Sequence, residues 1–526
     1  MNPIERDRRA PARIFADFIR GVALLPLLLA SQAWAATTDP LGPDGARLFL
    51  TRTGFAPSEA EVARWEKLTQ AQAVERVLSE TTRVAGQPAP AWIDETIVRP
   101  KDLRAMGQDV LKLERQTQIR YGLELRTWWV QEMVTTPTPL TERMTLFWHN
   151  HFVSAQPKVR YAQLMYRQNV LLRSQALGNF GALLHAVAHD PAMLIYLDSI
   201  SNRRAAPNEN FAREVMELFT LGEGHYSESD IKEAARAFSG WSLDPERFTF
   251  VFRPRLHDGG EKTVLGRRGA WDGDDVLNIL LEQPATAEFI VRKLWLEFVS
   301  PQPDPQRVRA IAQGFRSSGY EIRAALRELF MQPELVRRDQ DNALVKSPVE
   351  LVVGLIRQSG AEVTHPNALT VRLAAMGQNL FSAPNVRGWP GGDAWITTQT
   401  LLARKQYLEA SITRANGGGA DAPSMMRTGG GNAAVEKAGV DKAGAESGGP
   451  LAGAIQALAQ LQPTRIDLAA WLKSAGAFPE RAVGDSAART LARDLLVLAP
   501  ASPPSAEALG TDALRALLLD PVYQLK

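Results

Sequence analysis

The sequence predicts a mainly α protein: a large multi-helix globular body with a small β-hairpin and, near the C-terminus, a Gly-rich insertion. Three observations predict it. From Gly42 onward apolar residues recur at spacings of three and four, the period of one helix face. Helix starts are marked by side chains that cap free N–H groups, as in Ser58 with Glu61 and Thr69 with Gln72. With 526 residues and 45% hydrophobic composition, the chain has the length and apolar content for a large core.

Residues 1–35 read as a signal peptide. Arg6, Arg8, Arg9, Arg13 and Arg20 precede the apolar run 21–30, and Ala33-Trp34-Ala35 supplies a small-x-small cleavage site. The run is short for a bilayer span, so cleavage after Ala35 is expected, leaving an exported mature protein, periplasmic or extracellular, with no transmembrane anchor. An uncleaved anchor is the alternative, and Arg8-Arg9 leaves the Sec and twin-arginine routes both open.

Composition narrows the chemistry. A formal net charge of +2 gives no global basic field for nucleic acid. Cysteine is absent, which excludes disulfides, thiolate catalysis and thiolate metal sites and leaves His and carboxylates as ligands for a divalent metal.

The main helical domain is expected over 36–415. A long amphipathic pattern from Leu103 to Val134 carries Trp128 and Trp129 and stops at the breakers 135–139. Thr138 then offers an N-cap, Pro139 a first helical residue, and Glu142 a negative charge at the positive end of the next helix. On that helix Leu140, Met144, Phe147, Trp148 and Phe152 form an apolar arc with His151 in its middle and His149 beyond its border. A buried histidine of this kind is a hydrogen-bonding core residue or a ligand or acid-base group. His185 and His189 sit at i and i+4 on the next helix, opposite its apolar side, which favours solvated histidines over a metal pair. Asp198 ends the segment leading into the polar loop 199–206.

That loop delivers the chain to Pro207–Tyr226, PNENFAREVMELFTLGEGHY. With about 100° per residue, Phe211, Ala212, Val215, Met216, Leu218, Phe219 and Leu221 share an arc into which Glu214 intrudes, with Asn210 one turn earlier and Glu217 at the rim. A carboxylate facing a core requires a partner. Further on, Phe248–Phe252 reads as a strand, the turn 258–260 and the run 262–265 suggest a hairpin, and His257, Asp258 and Lys262 cluster near its tip, as a solvated turn or as reactive groups. The loop Phe381–Trp395 places Trp389 and Trp395 among prolines and glycines, for packing or as the aromatic wall of a pocket. Residues 416–450 are Gly/Ala-rich and expected to be a disordered insertion, and 451–526 return to a helical segment, docked or tethered.

Several of these stretches together resemble the bacterial exported proteins of the domain of unknown function 1800 family: Phe147-Trp148-His149-Asn150-His151-Phe152, Pro207 to Glu214 with Glu217 to Gly222, Gly240-Trp241, His257-Asp258 with Lys262, Asn385 to Gly392, and Tyr523 to Lys526. The resemblance covers residues 42 to 410 and the C-terminal end. His185 and His189 fall outside it. It implies a bacterial envelope protein, often encoded beside an exported phosphatase/sulfatase-like protein, and it supplies no reaction and no catalytic residues.

Two functions remain. The first is a metal-assisted, hydrolase-like enzyme with His151, Glu214, His257, Asp258 and Lys262 as catalytic candidates, Asn210, Trp389 and Trp395 toward substrate, and His149, His151, Asp198, Glu214 and Glu217 as metal ligands. The second is a non-catalytic partner or scaffold for the neighbouring exported enzyme, with the same groups in structural pairs. No Gly-x-Ser-x-Gly elbow, phosphate loop or His-Glu-x-x-His is present to support a familiar hydrolase mechanism.

Overall fold

Capping chemistry sets where helices begin in the computed structural model of the protein, which describes residues 39–413 and 450–526. Ser58, Thr69, Ser227, Asp272 and Ser347 each accept the N–H three residues on, while the side chain there returns a bond to the cap's own N–H. Each reciprocal pair satisfies donors that a first helical turn leaves free. The Pro139–His151 helix starts differently. The Thr138 hydroxyl makes no capping bond, and Pro139, which has no N–H to satisfy, takes the first turn.

Helices dominate, as the period predicts, and β structure among the described residues is three two-stranded antiparallel sheets. The expected hairpin is present with a different pairing. Phe250–Phe252 pairs with Trp241–Leu243, while Lys262–Val264 pairs with Arg267–Gly269. Leu265 and Gly266 both take positive φ, the two-residue turn geometry that suits a tight hairpin, and Asp230 Oδ1 accepts the Leu265 N–H at 2.7 Å. A leucine in the left-handed region is not a turn signal, which is why the sequence pointed to Asp258–Gly260 instead.

The core is built around the Gln108–Thr135 and Pro139–His151 helices. Every side chain from Leu140 to His149 is buried, so the second of these is enclosed on all sides rather than on one arc. That is why His149 is 1% exposed although it was expected beyond the apolar border. Glu142, read from the sequence as a negative charge at the positive end of the helix, is fully buried and binds Arg173 through two bonds of 2.6 and 2.9 Å, with the Trp129 indole N–H adding a third at 2.8 Å.

Residues 39–413 and 450–526 pack as one unit. Thr464–Arg465 pairs with Glu362–Val363, and Leu344 and Lys526 exchange backbone hydrogen bonds of 3.0 and 2.7 Å. Beside them lies a buried ion cluster. Glu350 forms an ion pair with Arg143 at 2.6 Å and accepts a hydrogen bond from the Lys526 ammonium, and Arg143 also donates to Glu297 at 2.5 Å. Residues 1–35, expected as a signal peptide, and the expected insertion apart from Pro450 lie outside the described residues. Among the described residues no helix is long and apolar enough to cross a membrane.

Candidate functional site

The Phe147–Phe152 motif faces two other singled-out stretches and is bonded to both. The Phe381 N–H donates to His149 Nε2 at 3.1 Å, so the proton of this neutral ring lies on Nδ1, which is buried with no partner among the described residues. Trp129, Phe381 and Trp389 surround the ring at 5.1, 5.0 and 5.8 Å between centroids, and burial pushes its pKa down to about 3. Asn150 accepts the Trp389 N–H at 2.7 Å and donates to the Trp389 carbonyl at 3.2 Å. Gly388 (φ +81°) permits that clamp, because a Cβ there would stand 2.2 Å from Asn150 Oδ1. We therefore expect Asn150→Ala to lower stability by about 1–3 kcal/mol, since the Trp389 peptide loses both partners, and the unfolding midpoint in urea checks it.

His151 is 2% exposed, with both nitrogens engaged. An ammonium can only donate, so the 2.9 Å contact from Lys293 Nζ makes Nδ1 an acceptor and leaves Nε2–H to donate to the Phe219 carbonyl at 3.1 Å. Burial and then the Lys293 charge hold this imidazole well below its ordinary pKa, and burial pushes Lys293 down to about 8.

Phe219 lies in a segment that departs from the expected helix. Asn210–Glu214 is α-helical, but Val215–Thr220 is a π-helix, and buried residues come in pairs four apart at 211–212, 215–216 and 219–220. The wider turn carries Glu214 to a half-buried position and exchanges Leu218, half-exposed, for Thr220, whose hydroxyl binds the Val215 carbonyl at 2.6 Å. The partner that a buried Glu214 would require is absent: it makes no hydrogen bond among the described residues. Burial and then the Glu217 carboxylate raise its pKa, against the pull of Arg387 and Arg213. Glu217 is the better anchored of the two, accepting from Arg387 at 2.6 Å and the Tyr226 hydroxyl at 2.8 Å.

The remaining candidates lie in separate settings. His257 Nδ1 donates to the Ser239 carbonyl at 2.9 Å. Arg236 binds Asp258 at 2.7 and 3.2 Å and holds its pKa at about 2. Lys262 is 1% exposed and donates to the carbonyls of Asp258, Gly260 and Trp271 at 2.5 to 2.9 Å, so this tip is a buttressed turn rather than a solvated one. Asp198, in the left-handed region, pairs with Lys158 at 2.7 Å and lies 3.4 Å from the exposed Asn210 amide. Trp389 and Trp395 are buried. His185 and His189, expected as solvated histidines, both approach Asp274, at 2.8 and 3.4 Å, and His189 stacks on Phe250.

No hydrogen bond or ion pair joins His151, Glu214 and His257 among the described residues. Nor is there among them any group of three or more His, Asp or Glu side chains that could hold a metal ion, so the metal set His149, His151, Asp198, Glu214 and Glu217 is not brought together.

A different feature is concave and charged. A cleft of about 1150 Å³ opens between the N-terminal half of the Gln108–Thr135 helix with the short helix Pro100–Ala105 before it and the segment around Lys158. Arg99, Lys101, Arg104, Lys112, Arg115 and Arg126 line one side and Lys158 and Arg160 the other, while Glu114 is the one carboxylate among the described lining residues. Leu103, Leu111, Ile119, Ile195, Ile200 and Phe248 supply apolar wall between them. Lys158 joins the cleft to Asp198 and places its ammonium 5.6 Å from the centre of the Tyr196 ring. Reading the 103–134 stretch only for its apolar period passed over these residues. The available signal was the run of cations from Arg99 to Arg126 on a chain whose net charge is only +2.

No curated protein and no solved structure matches the chain. A family model does, over residues 48–525, and it spans every candidate site residue named above. The chain therefore belongs to the family described as Protein of unknown function (DUF1800).

Proposed function

We propose that this protein is an exported envelope protein that works by binding, and that its working surface is the basic cleft. The observation that carries the reading is the concentration of eight cations against one carboxylate among the residues lining a cavity of about 1150 Å³, an excess that persists after Arg99 is paired with Asp102 and Lys158 with Asp198, and that the balanced chain does not share. His149 and His151 support it from the other side, since their ring nitrogens are buried in the fold instead of facing a cavity. Export rests on the basic and apolar pattern of residues 1–35. Within this reading the co-encoded phosphatase/sulfatase-like protein is a partner whose phosphate- or sulfate-bearing substrates share the charge that the cleft attracts.

Calorimetric titration of the mature protein with pyrophosphate at low and high salt tests the proposal. Binding that weakens with salt, and weakens strongly in a Lys101→Glu/Lys112→Glu variant, is expected, because both ammonium groups are exposed and carry no partner the fold needs. Metal analysis of the same preparation discriminates the enzyme reading. Stoichiometric metal that disappears in Glu214→Gln, with no pyrophosphate binding, would restore the metal-assisted hydrolase.

A further inference from the structure

At the inner end of the cleft two polar side chains are buried without the partners their chemistry calls for. Arg126 is 6% exposed, and its guanidinium makes one hydrogen bond, from Nε to the Leu380 carbonyl at 2.8 Å. Its terminal nitrogens have no partner among the described residues, and no carboxylate pairs with it, so burial lowers its pKa to about 10. Gln156 is 7% exposed. Its NH₂ donates to the Gln118 carbonyl at 2.9 Å, while Oε1 is buried with no donor.

The two groups are neighbours. Arg126 holds the Leu380 carbonyl and the Gln156 N–H holds the next one, Phe381, at 2.8 Å. Gly122, one helical turn before Arg126, brings the Gln156 amide against the helix, where a Cβ would lie 2.1 Å from it. A buried guanidinium without a counter-ion is a cost to folding, and an orphan acceptor beside it adds to that cost. Both costs vanish when a ligand supplies an anion and a hydrogen donor side by side.

We propose that the cleft takes a single-chain amphiphile with a phosphate monoester head, the head on Arg126 and Gln156 and the chain along the aliphatic wall. This deepens the binding reading above and rests on it. A phosphate monoester has a second pKa near 6, so at pH 6, where the titrations are run, about half of it is monoprotonated and offers oxygens to Arg126 and a P–OH to Gln156 Oε1, whereas a carboxylate at that pH offers no donor. The aliphatic side chains Leu103, Leu111, Ile119, Ile195 and Ile200 give a methylene chain continuous apolar wall to lie along. Ile200, 45% exposed, marks the mouth. The outer cations there meet whatever charge the ligand or its membrane of origin presents.

The test is calorimetry of the mature protein with octyl, decyl and dodecyl phosphate, each below its micelle concentration, and with inorganic phosphate. Full burial of the chain tightens binding about fourfold per methylene, so the dodecyl ester is expected to bind at least about tenfold more tightly than the octyl ester. Arg126→Gln is expected to weaken every alkyl phosphate by about ten- to a hundredfold while leaving the unfolding midpoint equal or higher. Ile200→Asp, at an exposed position that the fold tolerates, is expected to remove the chain-length dependence and keep phosphate binding. Affinity independent of chain length, with phosphate and pyrophosphate still bound, overturns the amphiphile and leaves the anion-binding reading standing. Alkyl phosphate binding that neither substitution alters overturns the placement, and a protein that binds none of these anions overturns both.

Discussion

Glu142→Ala is expected to destabilise the protein by about 3–5 kcal/mol, more than a simple loss of packing, because it strands the Arg173 guanidinium in the core. Arg173 is 1% exposed and its charge is met by both Glu142 oxygens, with Asn169 accepting a further bond at 2.6 Å. The same substitution takes the acceptor from the Trp129 indole. Thus one change leaves a cation and a neutral donor unsatisfied in a medium that cannot hydrate either. The companion experiment separates charge from volume. Arg173→Met alone leaves the carboxylate stranded and is expected to cost about as much, whereas Glu142→Met with Arg173→Met is expected to recover most of the loss, since apolar replacement of a whole buried pair is often neutral. Urea midpoints of the parent, Glu142→Met, Arg173→Met and the double variant form the cycle, and additive losses would mean that the pair is not coupled.

Glu350→Gln is the second large effect, and it carries a pH signature. The carboxylate is 6% exposed. Burial opposes its ionisation, but Arg143 and Lys526 more than offset that and hold its pKa at about 2, below the ordinary 4.5. A carboxyl whose folded pKa is depressed binds fewer protons in the folded state than in the unfolded state between those values. Its stabilisation is therefore complete above pH 4.5 and lost as pH falls toward 2. Glu350→Gln is expected to cost about 3–5 kcal/mol at neutral pH, because Arg143 and Lys526 lose their shared anion, and to flatten the acid limb of the stability profile. Thermal melts of parent and variant at a series of pH values read both effects. A variant whose difference from the parent does not shrink with acidification would show that Glu350 is not the group titrating.

The mainly α class was legible because it rests on local rules. Ser58 and Thr69 announced their helices through the Glu61 and Gln72 three residues on, and the structure places a capping box at each. The Pro207–Tyr226 stretch was misjudged for a local reason too: a period of 3.6 was assumed where the backbone widens to a π-helix, so Glu214 landed on the wrong side of the boundary. Glu142 and Glu350 could not be recognised as buried anions, since each depends on an arginine from another helix, Arg173 or Arg143, and nothing in the spacing of one helix reveals that. The singled-out motifs do meet, but through backbone carbonyls and N–H groups of Phe219, Phe381 and Trp389, which carry no signature in sequence. The cleft failed to register because its cations serve no helix period, and an apolar pattern read alone treats them as solvated surface.

Asn150 and Trp389 stand 239 residues apart, and Glu350 waits for Lys526, 176 residues further on. Such closures set the order of folding. Local helices such as Ala162–Gln175 can form as soon as they are made, but the clamp on the Trp389 peptide and the anion site for Arg143 exist only once distant segments have arrived. Until then Arg143 has neither of its carboxylates and His149 lacks the N–H that fills its lone pair, although the Glu142–Arg173 pair closes within 31 residues. A chain lacking Lys526 would leave Glu350 with one of its two cations missing, in a site that water cannot fill once the helices around it have packed.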